Sequence, residues 1–143
     1  MLRHVLTVLF LCFGVLAGTG RAQDKPASIE GKWETNGKDA DGKLVRIVKE
    51  HKGGQTTRTV YDDKGEIVLQ HKSQYELRKT DKVQVFTYFN LEVTAGPGKG
   101  QRFAGPGAYL YRIEGDSFYE VQGALLEDKG SPRIVVWKRV QEK

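Results

Sequence analysis

The chain has 143 residues, with 23 Lys and Arg against 18 Asp and Glu, and a single cysteine, Cys12. One cysteine excludes a disulfide framework and a thiolate metal site. A formal charge of only +5, with both signs interspersed, excludes the basic stripe of a nucleic-acid binder.

Arg3 and His4 followed by the apolar run Val5 to Leu16, then Gly18-Thr19-Gly20-Arg21-Ala22, reads as a secretory signal peptide over 1–22. The run is too short to anchor the chain across a bilayer once it is cut, so no stable membrane insertion is expected. Cleavage leaves 121 residues, room for one domain, and loss of Arg3 and Arg21 lowers the formal charge to +3. The only cysteine leaves with the leader, so packing alone must hold the exported, secreted or periplasmic, domain. Residues 23–28 form a polar tether, and 29–143 the domain.

From Ile29 onward, turn signals recur at strand-length intervals. The predicted strands are 29–35, 43–52, 56–61, 66–79, 83–94, 109–114, 117–126 and 133–140. "NGKDADGK", Gly53-Gly54, "DDKG", Thr80-Asp81-Lys82, Gly115-Asp116 and "EDKGSP" supply the turns. In the fourth strand Ile67, Leu69, His71, Ser73, Tyr75 and Leu77 share one face. In the fifth, Val83, Val85, Thr87, Phe89, Leu91 and Val93 oppose Gln84, Phe86, Tyr88, Asn90 and Glu92. Both faces there are apolar, which leaves inside and outside open. No stretch beyond the leader has helical period. Eight antiparallel strands in hairpin succession predict an all-β, up-and-down barrel, with a two-sheet sandwich as the alternative.

Gly31-Lys32-Trp33 in the first strand, "IEGDSFYEVQG" at 113–123 and "VVWKRV" at 135–140 resemble the lipocalin and calycin superfamily, in particular its small bacterial exported domains of unknown function. The resemblance implies a structural role in barrel closure for Gly31, Trp33 and Arg139, with the Arg139 guanidinium over the Trp33 ring. It also implies non-catalytic binding of a small apolar or amphipathic ligand.

"GPGKGQRFAGPG" at 96–107 lacks the leading glycine, the Ser/Thr and the following helix of a phosphate-binding loop. It is read instead as a long loop, a lid carrying Lys99, Arg102 and Phe103 or an exposed connection. Tyr75, Phe89, Tyr109, Tyr111 and Tyr119 are the candidate ligand-binding residues; such rings either wall a pocket or fill the barrel. Filling would make the protein an interaction module for a protein or glycan of the cell envelope, with Phe86, Tyr88 and Phe103 as exposed contacts; no particular protein partner is implied. The serines lack nucleophile-elbow glycines, and every carboxylate sits at a turn or on a polar face, so no catalytic residue is assigned. No metal site and no cofactor are expected. A haem would need His71 to point inward, whereas a solvent-facing or hydrogen-bonded histidine is the expectation.

Overall fold

The computed structural model of the protein describes residues 28–80, 83–125 and 131–141. The expected signal peptide and residues 23–27 of the tether lie outside the described residues. Nine strands follow one another: β1 (Gly31–Lys38), β2 (Leu44–Lys52), β3 (Gln55–Tyr61), β4 (Ile67–Thr80), β5 (Val83–Ala95), β6 (Arg102–Phe103), β7 (Gly107–Glu114), β8 (Ser117–Gln122) and β9 (Arg133–Arg139). All pairings are antiparallel, in the order β4-β3-β2-β1-β9-β8-β7-β5, and β4 pairs β5 to close the ring. Eight strands make the barrel; β6 is an extra two-residue strand on β5. The sandwich alternative is set aside by that closure.

Two of the described turns are built on an aspartate. The first starts three residues later than expected, because β1 runs on through Asn36, Gly37 and Lys38. The turn proper is made by Asp39, whose Oδ1 accepts the amides of Asp41 and Lys43 at 2.9 Å each. Asp62 repeats the device, accepting from Lys64 and Glu66.

The stretch 96–107 is not one long loop. Its first half is a tight hairpin: Gly100 donates to the Val93 carbonyl at 2.8 Å and Val93 to the Gln101 carbonyl at 3.0 Å. Gly96 has φ +84 and a side chain there would run into the Val68 carbonyl, so the glycine is required twice over. β6 follows, and only 104–106 interrupt the strand before β7.

Asn90, with φ 54, marks a bulge in β5. Ahead of it Phe86 and Tyr88 face inward; beyond it Leu91 and Val93 do. The expectation that Phe89, Leu91 and Val93 share a face therefore fails at this residue.

One end of the barrel is packed solid. Trp33, Phe118, Phe86, Trp137, Tyr109 and Ile29 form the core, with Tyr75, Tyr111 and Ile113 against it. Phe86 is stacked between Tyr75 at 4.9 Å and Tyr109 at 4.7 Å, and Phe118 meets Trp33 at 5.5 Å. Phe86 was expected as an exposed contact of a filled barrel; it is instead at the centre of the core.

Arg139 clasps this end. Its guanidinium lies 4.0 Å from the Trp33 ring and donates to the carbonyls of Glu30 at 2.9 Å and Ser28 at 2.8 Å. Trp33 Nε1 donates to the Ile29 carbonyl at 2.7 Å. Gly31, φ +115, lies where a Cβ would come within 2.9 Å of the Arg139 guanidinium. The three residues named for barrel closure are thus in direct contact. The clasp is needed because β1 and β9 share only two residue pairs, Trp33 with Arg139 and Glu34 with Lys138.

Phe118→Ala should lower the free energy of unfolding by about 3–5 kcal/mol, the usual cost of deleting a fully buried ring. Urea denaturation followed by circular dichroism reads this. Phe103→Ala, at a ring that is 53% exposed, should stay within about 0.5 kcal/mol of wild type.

Candidate functional site

The other half of the barrel is hollow. A cavity of about 930 Å³ opens at the end carrying the β1–β2 and β5–β6 hairpins. Its base is shared with the core through Phe86, Tyr109, Trp137 and Ile47. Its side is left ajar where the β1–β9 pairing stops, so that Thr35 to Lys38 and Arg133, Val135 line it unzipped from each other. Phe103, Gly105, Pro106 and Gly107 form part of the rim. Tyr88 lies across Gly107, where a Cβ would sit 2.2 Å from the ring. Only glycine lets this ring lie down against the rim.

At the base stands a buried ion pair. Lys49 Nζ on β2 is 2.6 Å from Glu120 Oε2 on β8. The same oxygen accepts Trp137 Nε1 at 2.7 Å, and Oε1 accepts Gln122 Nε2 at 2.8 Å. The ammonium donates to the Tyr109 hydroxyl at 3.4 Å and lies 4.4 Å from the Trp137 ring and 4.9 Å from the Tyr109 ring. Burial pulls Lys49 below the usual lysine range, with Glu120 acting the other way, and pushes the Tyr109 phenol well up. Glu120, 1% exposed, corrects the expectation that every carboxylate sits at a turn or on a polar face. A carboxylate can be buried here because three donors meet it.

The walls around the pair are basic. Lys49, Arg58 and His71 are direct partners in one inward row across β2, β3 and β4. Arg133 faces them from β9. Burial lowers the Arg58 pKa, with Glu120 opposing the shift and the Arg133 charge adding to it. His71 is held down to about 4 by burial and then by the Arg58 and Lys49 charges. It lines the cavity instead of facing solvent. His51 lies deeper, its Nδ1 2.7 Å from Thr56 Oγ1 and its ring edge-on to Tyr75 and Phe86. Burial, then Lys49, lowers its pKa to about 3. Among the described residues no three His, Cys, Asp or Glu converge as a metal site would require.

The expected ligand-binding set divides three ways. Tyr109 lines the cavity. Tyr75 and Tyr111 point inward but belong to the packed half, Tyr75 donating to Glu30 Oε1 at 2.9 Å. Phe89 and Tyr119 lie outside the lining, Phe89 opposite the exposed Gln74 and Tyr119 between Arg112 and Val136. The bulge at Asn90 explains Phe89; for Tyr119 the inward phase of β8 belongs to Phe118, Glu120 and Gln122. Of the lid residues, Phe103 lines the mouth. Arg102 turns outward to Glu92 at 3.3 Å, and Lys99 is exposed at the hairpin tip.

Comparisons of the chain with protein-family models, with curated proteins and with solved structures find no match. The site therefore stands on its own residues. Those that sequence reasoning passed over, Lys49, Arg58 and Glu120, carry one shared signal. Each is a charge in phase with inward neighbours: Val45 and Ile47 for Lys49, Thr56 and Val60 for Arg58, Phe118 for Glu120.

Glu120→Gln should cost about 3–5 kcal/mol by urea denaturation, since it strands a buried ammonium. The double variant Lys49→Met with Glu120→Leu should recover most of that loss. The two histidines set an acid limit. Both have folded pKa values far below the ordinary 6.5, so the unfolded chain takes up protons that the folded one refuses. Stability should be full above pH 6.5 and fall as pH drops toward 4, with a slope approaching two protons. His51→Phe should remove about half of that slope in melting curves recorded across the range.

Proposed function

We propose that this is an exported, non-catalytic binding protein of lipocalin-like type, which holds a small amphipathic ligand in the open half of its barrel. The observation that carries the reading is the cavity itself: about 930 Å³, the size of a drug-like ligand site, in a barrel narrow enough to have been filled by side chains. Its base and walls offer rings and aliphatic groups from Phe86, Trp137, Val135 and Leu91, and its polar groups converge from several strands. A rigid aromatic half beneath a hollow half suits a carrier, because the packed end holds the walls apart without the ligand. The lipocalin-like assignment is supported by the stack of Arg139 on Trp33 and by the tight fit at Gly31. Export rests on the apolar leader in the sequence.

The chain purified gently from an exporting host should carry a mass in native mass spectrometry that is lost on denaturation, or should take one up from a lipid and metabolite mixture. Thr35→Trp places an indole in the cavity, on a strand position with no side-chain hydrogen bond to lose. It should reduce occupancy by about tenfold or more, roughly 1.4 kcal/mol, with little change in melting temperature. A clean apo mass under both conditions would sink the carrier reading.

A further inference from the structure

The charges inside the cavity do not balance. Lys38, Lys49, Arg58 and Arg133 line it, and among the described lining residues Glu120 is the one carboxylate. Both Glu120 oxygens are already engaged, by Lys49, Trp137 and Gln122. Arg133 Nε donates to Gln122 Oε1 at 2.6 Å. Arg58 is left over.

A guanidinium stays charged at any pH a protein meets and brings five donors in a planar fork. Arg58 lies largely within the wall, between Lys49 on β2 and His71 on β4 as its direct cross-strand partners. Like charges set opposite each other across strands repel. His71 escapes the conflict by staying neutral, and Lys49 by its pairing with Glu120. No described side chain gives Arg58 a hydrogen bond or an ion pair, and Arg133 adds a further cation across the cavity. A protein that needed only a polar lining at this position could have used Thr or Gln at lower cost. Among the described residues the fork lacks a bidentate oxygen acceptor, and the cavity it lines gives such an acceptor access to it.

We propose that the cavity selects an organic anion: a carboxylate head group held by the Arg58 fork in the field of Arg133 and Lys49, with an apolar body laid against Phe86, Trp137, Val135 and Leu91. This rests on the carrier reading above and names the chemistry of its ligand. Glu120 keeps the assignment sharp. By neutralising Lys49 it leaves Arg58 as the part-buried cation of the wall with no counter-charge among the described residues in hydrogen-bond contact. A cationic amphiphile would meet only repulsion, and a neutral one would leave the fork as unpaired as it found it.

The test is isothermal titration of the full exported chain, stripped of any co-purified ligand, with decanoate, decanol and decylammonium at pH 7.5. Decanoate should bind about 10- to 100-fold tighter than decanol, as a charge-assisted hydrogen-bonded pair warrants, and decylammonium should be weakest. Arg58→Met should bring decanoate down to the affinity of decanol while leaving decanol unchanged. Arg58→Lys should recover only part of the difference, since it restores the charge without the fork. Equal binding of decanoate and decanol, or an Arg58→Met protein that still prefers decanoate, overturns the anion proposal and leaves the carrier reading standing. Binding of none of the three, together with a clean apo mass, overturns both. Should Arg58→Met fail to fold, the order of the three probes on the wild-type protein decides alone.

Discussion

A single buried carboxylate governs how charge is distributed inside this barrel. Glu120 stands on β8 at the boundary between the packed and the hollow half, and Lys49 reaches it from β2 across the interior. Neither group could be buried alone, because the desolvation of each is met only by the other and by the Trp137, Gln122 and Tyr109 groups around them. The pair therefore ties strands that are not neighbours in the sheet. It also sets the depth at which aromatic packing gives way to polar lining. Every other charged group in the cavity is placed relative to it.

The two halves answer different physical demands. At the closed end, flat rings fill the space: Phe86 lies parallel to Tyr75 and Tyr109, while His51 and Tyr111 meet it edge-on. That arrangement is dense and tolerates one imidazole only because it is held neutral. At the open end the walls are shorter side chains, Thr35, Thr56, Ser73, Val135, which leave room. The resulting surface sets aromatic rings and a neutralised ion pair at the base against basic side chains on the wall, the pattern a ligand with one charged end would match.

Much of the architecture was legible in the sequence because it rests on local rules. Alternation along β2, β3 and β4 and the Asp- and Gly-rich turns placed eight strands, and Gly31, Trp33 and Arg139 lie in contact at one end of the barrel. The face of β5 was not legible, because a single residue in the left-handed region, Asn90, inverts the alternation halfway along. An asparagine inside a strand was the available hint. The break between β6 and β7 was hidden by the run of Gly and Pro, which reads as loop whether or not two residues within it pair with β5. The character of the cavity was missed for another reason. A charge on a strand is ordinarily assigned to solvent, and only the phase of Lys49, Arg58 and Glu120 against their inward neighbours distinguishes them from the charges that truly face water.

The shortness of the β1–β9 seam also bears on how the barrel comes to be closed. The other ring neighbours are consecutive in the chain, apart from the inserted β6, whereas β1 pairs with β9, the last strand and the farthest from it in the chain. Until then the sheet carries two free edges, and the loop to be closed spans nearly the whole domain. Two residue pairs are little to hold against that entropy. Arg139 makes the difference by stacking on Trp33 and gripping the carbonyls of Ser28 and Glu30, so one side chain converts a brief contact into a lock. The seam is thereby held at the end filled with rings, while its opposite end is left parted as an entrance.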